Sequence, residues 1–175
     1  MATFYSNHLA TAAAPSTRAP QQMNVYESGG RVRFKRFEIE LPDSANADTV
    51  RFGSFKSTDA IIDMRIFYDD LGTAGTLDIG LAYAGSANDG AEIDDNLFAD
   101  ALDLSTAAVV AGTQIAYGEG SSGLATDVSL FGKRLWQAAG LSSDPGGMFD
   151  LMGKTDTGTT AAGTVVIFVM YVSGD

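Results

Sequence analysis

Ile62-Asp63-Met64-Arg65-Ile66-Phe67-Tyr68, followed by Asp69-Asp70-Leu71-Gly72-Thr73-Ala74-Gly75 and then Leu77-Asp78-Ile79-Gly80-Leu81-Ala82-Tyr83, is the stretch that decides the fold. Ile62, Met64, Ile66 and Tyr68 alternate with Asp63, Arg65 and Phe67, a period of two that marks a half-buried strand. Leu77, Ile79, Leu81 and Tyr83 repeat the pattern. The acid- and glycine-rich loop between them predicts a hairpin.

The same reading extends in both directions. Upstream, Arg31 to Leu41 is a strand in which Val32 and Phe34 share one parity and Phe37, Ile39 and Leu41 the other. A β-bulge at Lys35-Arg36 would bring all five to one side. Met23 to Glu27 is a short strand candidate before the turn Ser28-Gly29-Gly30, and Val50 to Phe55 is another strand. Downstream, Asp95 to Asp103 is expected to be a short helix and Ala107 to Tyr117 a strand. Asp127 is placed to cap a helix from Val128 to Ala139, with Gly140 to end it. Met148 to Met152 and Thr164 to Val172 are expected to form a closing hairpin. The predicted class is all-β: an antiparallel β-sandwich, jelly-roll-like, of about eight strands with two short helices.

Composition bounds the chemistry. The chain has 175 residues, 45% of them hydrophobic, enough for a single domain with a real core. Its 20 glycines follow no collagen-like period and fit many turns. With no cysteine, disulfides, thiolate nucleophiles and cysteine zinc sites are excluded. The net charge of −11 is uneven: residues 1–66 carry eight basic and seven acidic residues, residues 67–175 three basic and fifteen acidic. That acidic part repels nucleic acid and anionic membranes, so neither is an expected partner. The longest apolar run, Val165 to Val172, is far short of the ~18 residues that span a bilayer. The N-terminus lacks the basic start and apolar core of a signal peptide.

Residues 1–22 read as an extended arm and residues 23–175 as the sandwich domain. Pro15 and Pro20 break any helix in the arm, and few apolar side chains offset the ordering entropy, ~1–2 kcal/mol per residue. Phe4, Tyr5 and Leu9 are its sizeable apolar anchors, and Arg18 is a candidate partner for an acid on another protein.

No catalytic constellation emerges. The one histidine, His8, lies in the arm, away from any triad or metal site in the folded part. Gly118-Glu119-Gly120-Ser121-Ser122-Gly123 matches the dinucleotide-binding glycine pattern, but Glu119 would repel phosphate, so a plain loop is favoured. Asp89, Glu92, Asp94 and Asp95 lack EF-hand spacing and read as a solvated acidic loop rather than a cation site. Trp136 is the only tryptophan, which argues against an aromatic sugar cleft. The expectation is a non-enzyme with no cofactor and no metal.

Two features point to binding instead. Arg31, Arg33 and Lys35 form a positive row on one face of a strand, read either as a docking surface or as edge protection against aggregation. Val165 to Val172 is apolar on both faces, so it is either central in the sandwich or packed with one face against another subunit.

The closing segment Gly163-Thr164-Val165-Val166-Ile167-Phe168-Val169-Met170-Tyr171-Val172-Ser173-Gly174-Asp175 resembles the ends of small virion proteins of tailed bacteriophages. Gly75-Thr76-Leu77-Asp78-Ile79-Gly80-Leu81-Ala82-Tyr83 is a shorter echo, and the opening Met1-Ala2-Thr3-Phe4-Tyr5-Ser6-Asn7 is similar to theirs. Among them the capsid decoration, or cement, proteins are most alike in size, lack of cysteine and β-rich composition. The resemblance implies a protein on the capsid exterior, assembled in the host cytoplasm. It implies that the chain clamps neighbouring subunits of the major capsid protein as a homo-oligomer, often a trimer. It carries no catalytic residue. The alternatives are another virion component (head-completion, tail or host-binding protein) and a secreted carbohydrate-binding or hydrolytic β-sandwich.

Overall fold

The computed structural model describes residues 31–85, 87–105, 108–116 and 128–174. The candidate strand Met23–Glu27, the turn after it, the glycine loop 118–123 and the Asp127 cap lie outside them.

Among the described residues eight strands follow one another: β1 (Val32–Leu41), β2 (Thr49–Lys56), β3 (Ala60–Tyr68), β4 (Thr76–Tyr83), β5 (Glu92–Asp103), β6 (Val109–Gln114), β7 (Met148–Thr157) and β8 (Gly163–Val172). They form two antiparallel four-stranded sheets, in the orders β1-β8-β3-β6 and β2-β7-β4-β5. The chain alternates between sheets, which is the jelly-roll winding. Only β4 and β5 are neighbours in both sequence and space. Two expectations are corrected by this. The strands around 62–68 and 77–83 exist but lie in different sheets, and so do β7 and β8; neither pair is a hairpin. Each pair buries one apolar face, and facing each other across the core does so as well as pairing edge to edge.

Alternation then decides which side chains enter the core. Ile61, Met64, Ile66, Ile167 and Val169 from the first sheet meet Phe55, Leu77, Ile79, Leu81 and Leu151 from the second, each at most 1% exposed. Val165, Ile167 and Val169 point inward while Val166, Phe168 and Met170 point outward and stay half-buried. The doubly apolar β8 is therefore central within its sheet and also shows an apolar outer face.

β1 pairs with β8 in unbroken register from Val32↔Val172 to Leu41↔Gly163. The expected bulge at Lys35-Arg36 is absent. Parity runs straight through, so Phe37, Ile39 and Leu41 face inward together with Arg33 and Lys35. Val32 and Phe34 face out, at 58% and 63% exposure.

The short helix expected at 95–103 is instead part of β5. β5 pairs with β4 through three register shifts, Ile79 opposing Ala99 while Leu81 opposes Asp94. Each bulge changes the phase of the strand, so Phe98, Ala99 and Leu102 all reach the core at a spacing that mimics a helix. The helix expected from Val128 to Ala139 is broken. A 3-10 turn covers Val128–Leu130, Gly132 takes φ +76°, and an α-helix, α1, covers only Leu135–Ala138. The Leu135 and Trp136 amides donate to the Asp59 and Ser57 carbonyls, which ties α1 to the β2–β3 turn and fixes where it starts. Gly140, at φ +70°, ends it as the sequence indicates. No helix among the described residues is long and apolar enough to cross a membrane.

Candidate interaction surface

The outer face of the β1-β8-β3-β6 sheet carries the most conspicuous exposed apolar surface. Register places Phe34 beside Met170, Arg36 beside Phe168 and Glu38 beside Val166. On the far side of β8, Arg65 lies beside Phe168 and Phe67 beside Val166. The rings form a diagonal row: Phe34 and Phe168 meet edge-to-face at 6.5 Å between centroids, Phe168 and Phe67 at 5.5 Å. Gly112 in β6 makes room for this row, since a Cβ there would lie 2.6 Å from the Phe67 ring. Val110, 86% exposed, stands at the rim. A shallow depression of about 300 Å³ runs over Val166 and Phe67, between Arg36 and Glu38 on one side and Val109 and Val110 on the other. Arg36 pairs with Glu38 and Arg65 with Asp63, so each cation has a carboxylate on its own strand.

Lys35 is not on this face. Its ammonium turns into the open side of the sandwich, 4.3 Å from the Phe55 ring centroid and 5.3 Å from that of Tyr171. It donates to the Ser54 carbonyl. Burial pulls its pKa down, partly offset by the charge of Asp59. Lys35 is thus a bridge between β1 and β2, withdrawn from the positive row, while Arg31 and Arg33 remain exposed at the start of β1. The arm residues Phe4, Tyr5, Leu9 and Arg18 lie outside the described residues. The bulge expected at Lys35-Arg36 put Phe34 inward, whereas the alternation of β3 already set Phe67 on the outer parity with Arg65. The unbroken parity from Arg33 to Leu41 was the available signal.

Further along the same open side, a cleft of about 470 Å³ lies between the sheets, lined by Ile39, Leu41, Pro42, Val50 and Thr155 among others. Ser44, Thr49 and Thr155 add hydroxyl groups to its wall, and among the described residues that line it Asp48 is the one ionisable group.

The acidic stretch behaves differently from a free loop. Glu92 and Asp95 lie on β5, and both accept hydrogen bonds from Lys154 of β7, at 3.1 and 2.6 Å. Those two contacts raise the Lys154 pKa. Burial raises the pKa of Asp94, with further repulsion from Asp95 and Glu92, and an Asn96 amide contact works against it. The Asp89 side chain lies outside the described residues. Among the described residues no three His, Asp or Glu side chains converge as a metal site.

No protein-family model matches this sequence, and no curated protein matches it. Solved structures do. A chain in the capsid of Ralstonia phage GP4 is 19% identical and superposes with a TM-score of 0.60, over 88% of this chain and 92% of that one. A chain of the cyanophage Pam1 capsid asymmetric unit is 15% identical, with a TM-score of 0.50 over 91% of this chain and 99% of that one. These likenesses show the fold. Both matched chains are spanned almost end to end, so each is a single jelly roll of similar length.

Proposed function

We propose that this chain is a structural protein of a bacteriophage particle that decorates the outside of the capsid. In this reading it binds the major capsid protein, clamps neighbouring subunits, and works as a homo-oligomer, with a trimer the expected state. The observation that carries the reading is the near end-to-end likeness to a capsid chain of Ralstonia phage GP4, at a TM-score of 0.60. A compact sandwich with a broad apolar outer face suits a part whose work is holding on to other subunits. The arm supplies the clamp: 22 extended residues reach about 70–80 Å, far enough to cross a neighbouring subunit. Phe4, Tyr5 and Leu9 anchor it there, Arg18 pairs with an acid, and Arg31 and Arg33, at the start of β1, extend the contact.

Mass spectrometry of particles purified from a culture that produces the chain tests the reading. The chain should be present at a fixed copy ratio to the major capsid protein; its absence from washed particles sinks the proposal. Deleting residues 1–20 tests the clamp. The truncated protein should fold with unchanged circular dichroism and bind particles at least tenfold more weakly, a loss of about 1.4 kcal/mol. Unchanged binding would mean that the arm is a spare tail.

A further inference from the structure

We infer that the outer face of the β1-β8-β3-β6 sheet, centred on Phe34, Phe168 and Phe67, is the surface through which a second copy of this chain docks. The inference rests on the proposed function only for the expectation that copies associate, and it names the surface they use.

Charge selects the face that two copies can share. Two copies that each carry a net charge of −11 repel one another over most orientations. The outer side of the second sheet gathers Glu92, Asp94, Asp95 and Asp150 against Arg51 and Lys154, so apposing two such faces brings like charges together. On the first sheet Arg36 and Arg65 sit among Glu38, Glu40 and Asp63, close to balance, and the ion pairs flank an aromatic centre. Of the two outer sheet faces, this is the one on which two acidic copies approach with less repulsion.

Area agrees. Four strands about 4.8 Å apart and up to ten residues long, at ~3.3 Å each, make a face of roughly 19 by 33 Å. With side-chain relief that is of the same order as the ~800 Å² per partner of a standard stable interface. Its anatomy also fits: aromatics at the centre, arginine–carboxylate pairs around them, and a depression beside Val110 able to take a side chain of the partner.

Sedimentation velocity over a wide concentration range tests the assignment with three proteins. The unaltered chain should self-associate, and more tightly as salt rises, because screening weakens the acidic repulsion while apolar contact persists. Phe34→Glu with Val110→Glu alters two exposed positions on this face and should weaken association by roughly thirtyfold or more, with the melting temperature of the subunit retained. Met148→Glu, 40% exposed on the other sheet, should associate like the unaltered chain. If the double variant fails to fold, Phe34→Ser alone, on the edge strand, replaces it. The inference is overturned if the unaltered chain stays monomeric at the highest concentration. It is equally overturned if the altered face associates normally, or if Met148→Glu dissociates to the same degree. A monomeric chain whose altered face loses particle binding would assign the surface to the capsid protein instead. Particle composition is a separate readout: absence from particles removes the proposed function and leaves the association result standing.

Discussion

Gly80 sits where β4 and β5 approach each other closely, and replacing it measures how firmly β5 is held. It lies in β4 opposite the bulged part of β5, between the pairs Ile79↔Ala99 and Leu81↔Asp94. A Cβ at this position would overlap the Asp94 carbonyl oxygen and the Asp95 carbonyl carbon, and it would lie 2.6 Å from the Asp95 oxygen. Ordinary contact begins near 3.4 Å, so the Asp94 carbonyl, the nearest obstacle, must retreat by ~1.4 Å in Gly80→Ala. The obstacles are backbone atoms, which no rotamer change relieves. Retreat also strains the Lys154 bridges to Glu92 and Asp95 and the seating of Phe98 and Ala99, both fully buried. Overpacking costs about 1–3 kcal/mol, and the rigid partners put this case at the top of that range. For a domain of this size ~3 kcal/mol lowers the melting temperature by about 6–12 °C. Urea titration and thermal melting give both numbers. Gly132→Ala is the control: its φ is +76° and its Cβ would meet nothing within 4 Å, so only the left-handed backbone penalty of ~1 kcal/mol remains. If Gly80→Ala proves no worse than Gly132→Ala, the close approach of β5 to β4 is wrong.

Lys154→Met should destabilise the protein at neutral pH by leaving Glu92 and Asp95 without their cation, which urea titration reads directly. Because the folded-state pKa of Lys154 is raised, its contribution is intact below its ordinary value of ~10.5 and disappears only as pH climbs through the higher folded value, so melting from pH 7 to 10 should show no loss from this group. Asp78→Asn should stabilise at pH 7. Asparagine can still accept from the Ala101 amide at 2.7 Å, while the charge that burial and the neighbouring Asp100, Asp95 and Asp156 disfavour is removed. A raised acid pKa costs stability as pH rises through the carboxylate range, so the gain should vanish near pH 4; a gain that persists in acid would refute the electrostatic cause.

The alternation at 64–68 and 77–83 was legible because burial on one face leaves a period-two trace in any sheet, but Ile62 is exposed and Ile61 enters the core in its place, across the irregularity between Ile61 and Asp63. The partner of each strand was not legible, because a loop of seven residues can turn back within a sheet or cross the core to the other one. Tertiary packing chooses between those. β5 was misread for a related reason: bulges shift its phase, so Phe98, Ala99 and Leu102 imitate helical spacing. At β1 the sequence held the answer in its parity. The wish to bury Val32 and Phe34 argued for a bulge, yet those residues face outward beside Met170 and Phe168. The apolar outer side of β8 was visible in Val165 to Val172, but its extension across Phe34 and Phe67 needed the strand order. The arginine–carboxylate pairs that balance the face are contacts two residues apart on their own strands, and only the strand parity shows that they share a side with the rings.

β8 follows β1 at a long distance in sequence, yet it sits between β1 and β3. During synthesis, β1 therefore emerges about 120 residues before the strand it pairs with. At ~5–20 residues per second the ribosome leaves it waiting about 6–25 s. Through that interval Phe37, Ile39 and the inward side of β3 have no finished core to enter, and the β1 edge is open to any other nascent chain. The domain consequently gains little from folding in stages. Its first sheet closes in one late event once Gly163 to Val172 is free, and loop-closure entropy makes that event slow by the standard of proteins with local contacts. Chains crowded on one message are exposed to one another before they are complete.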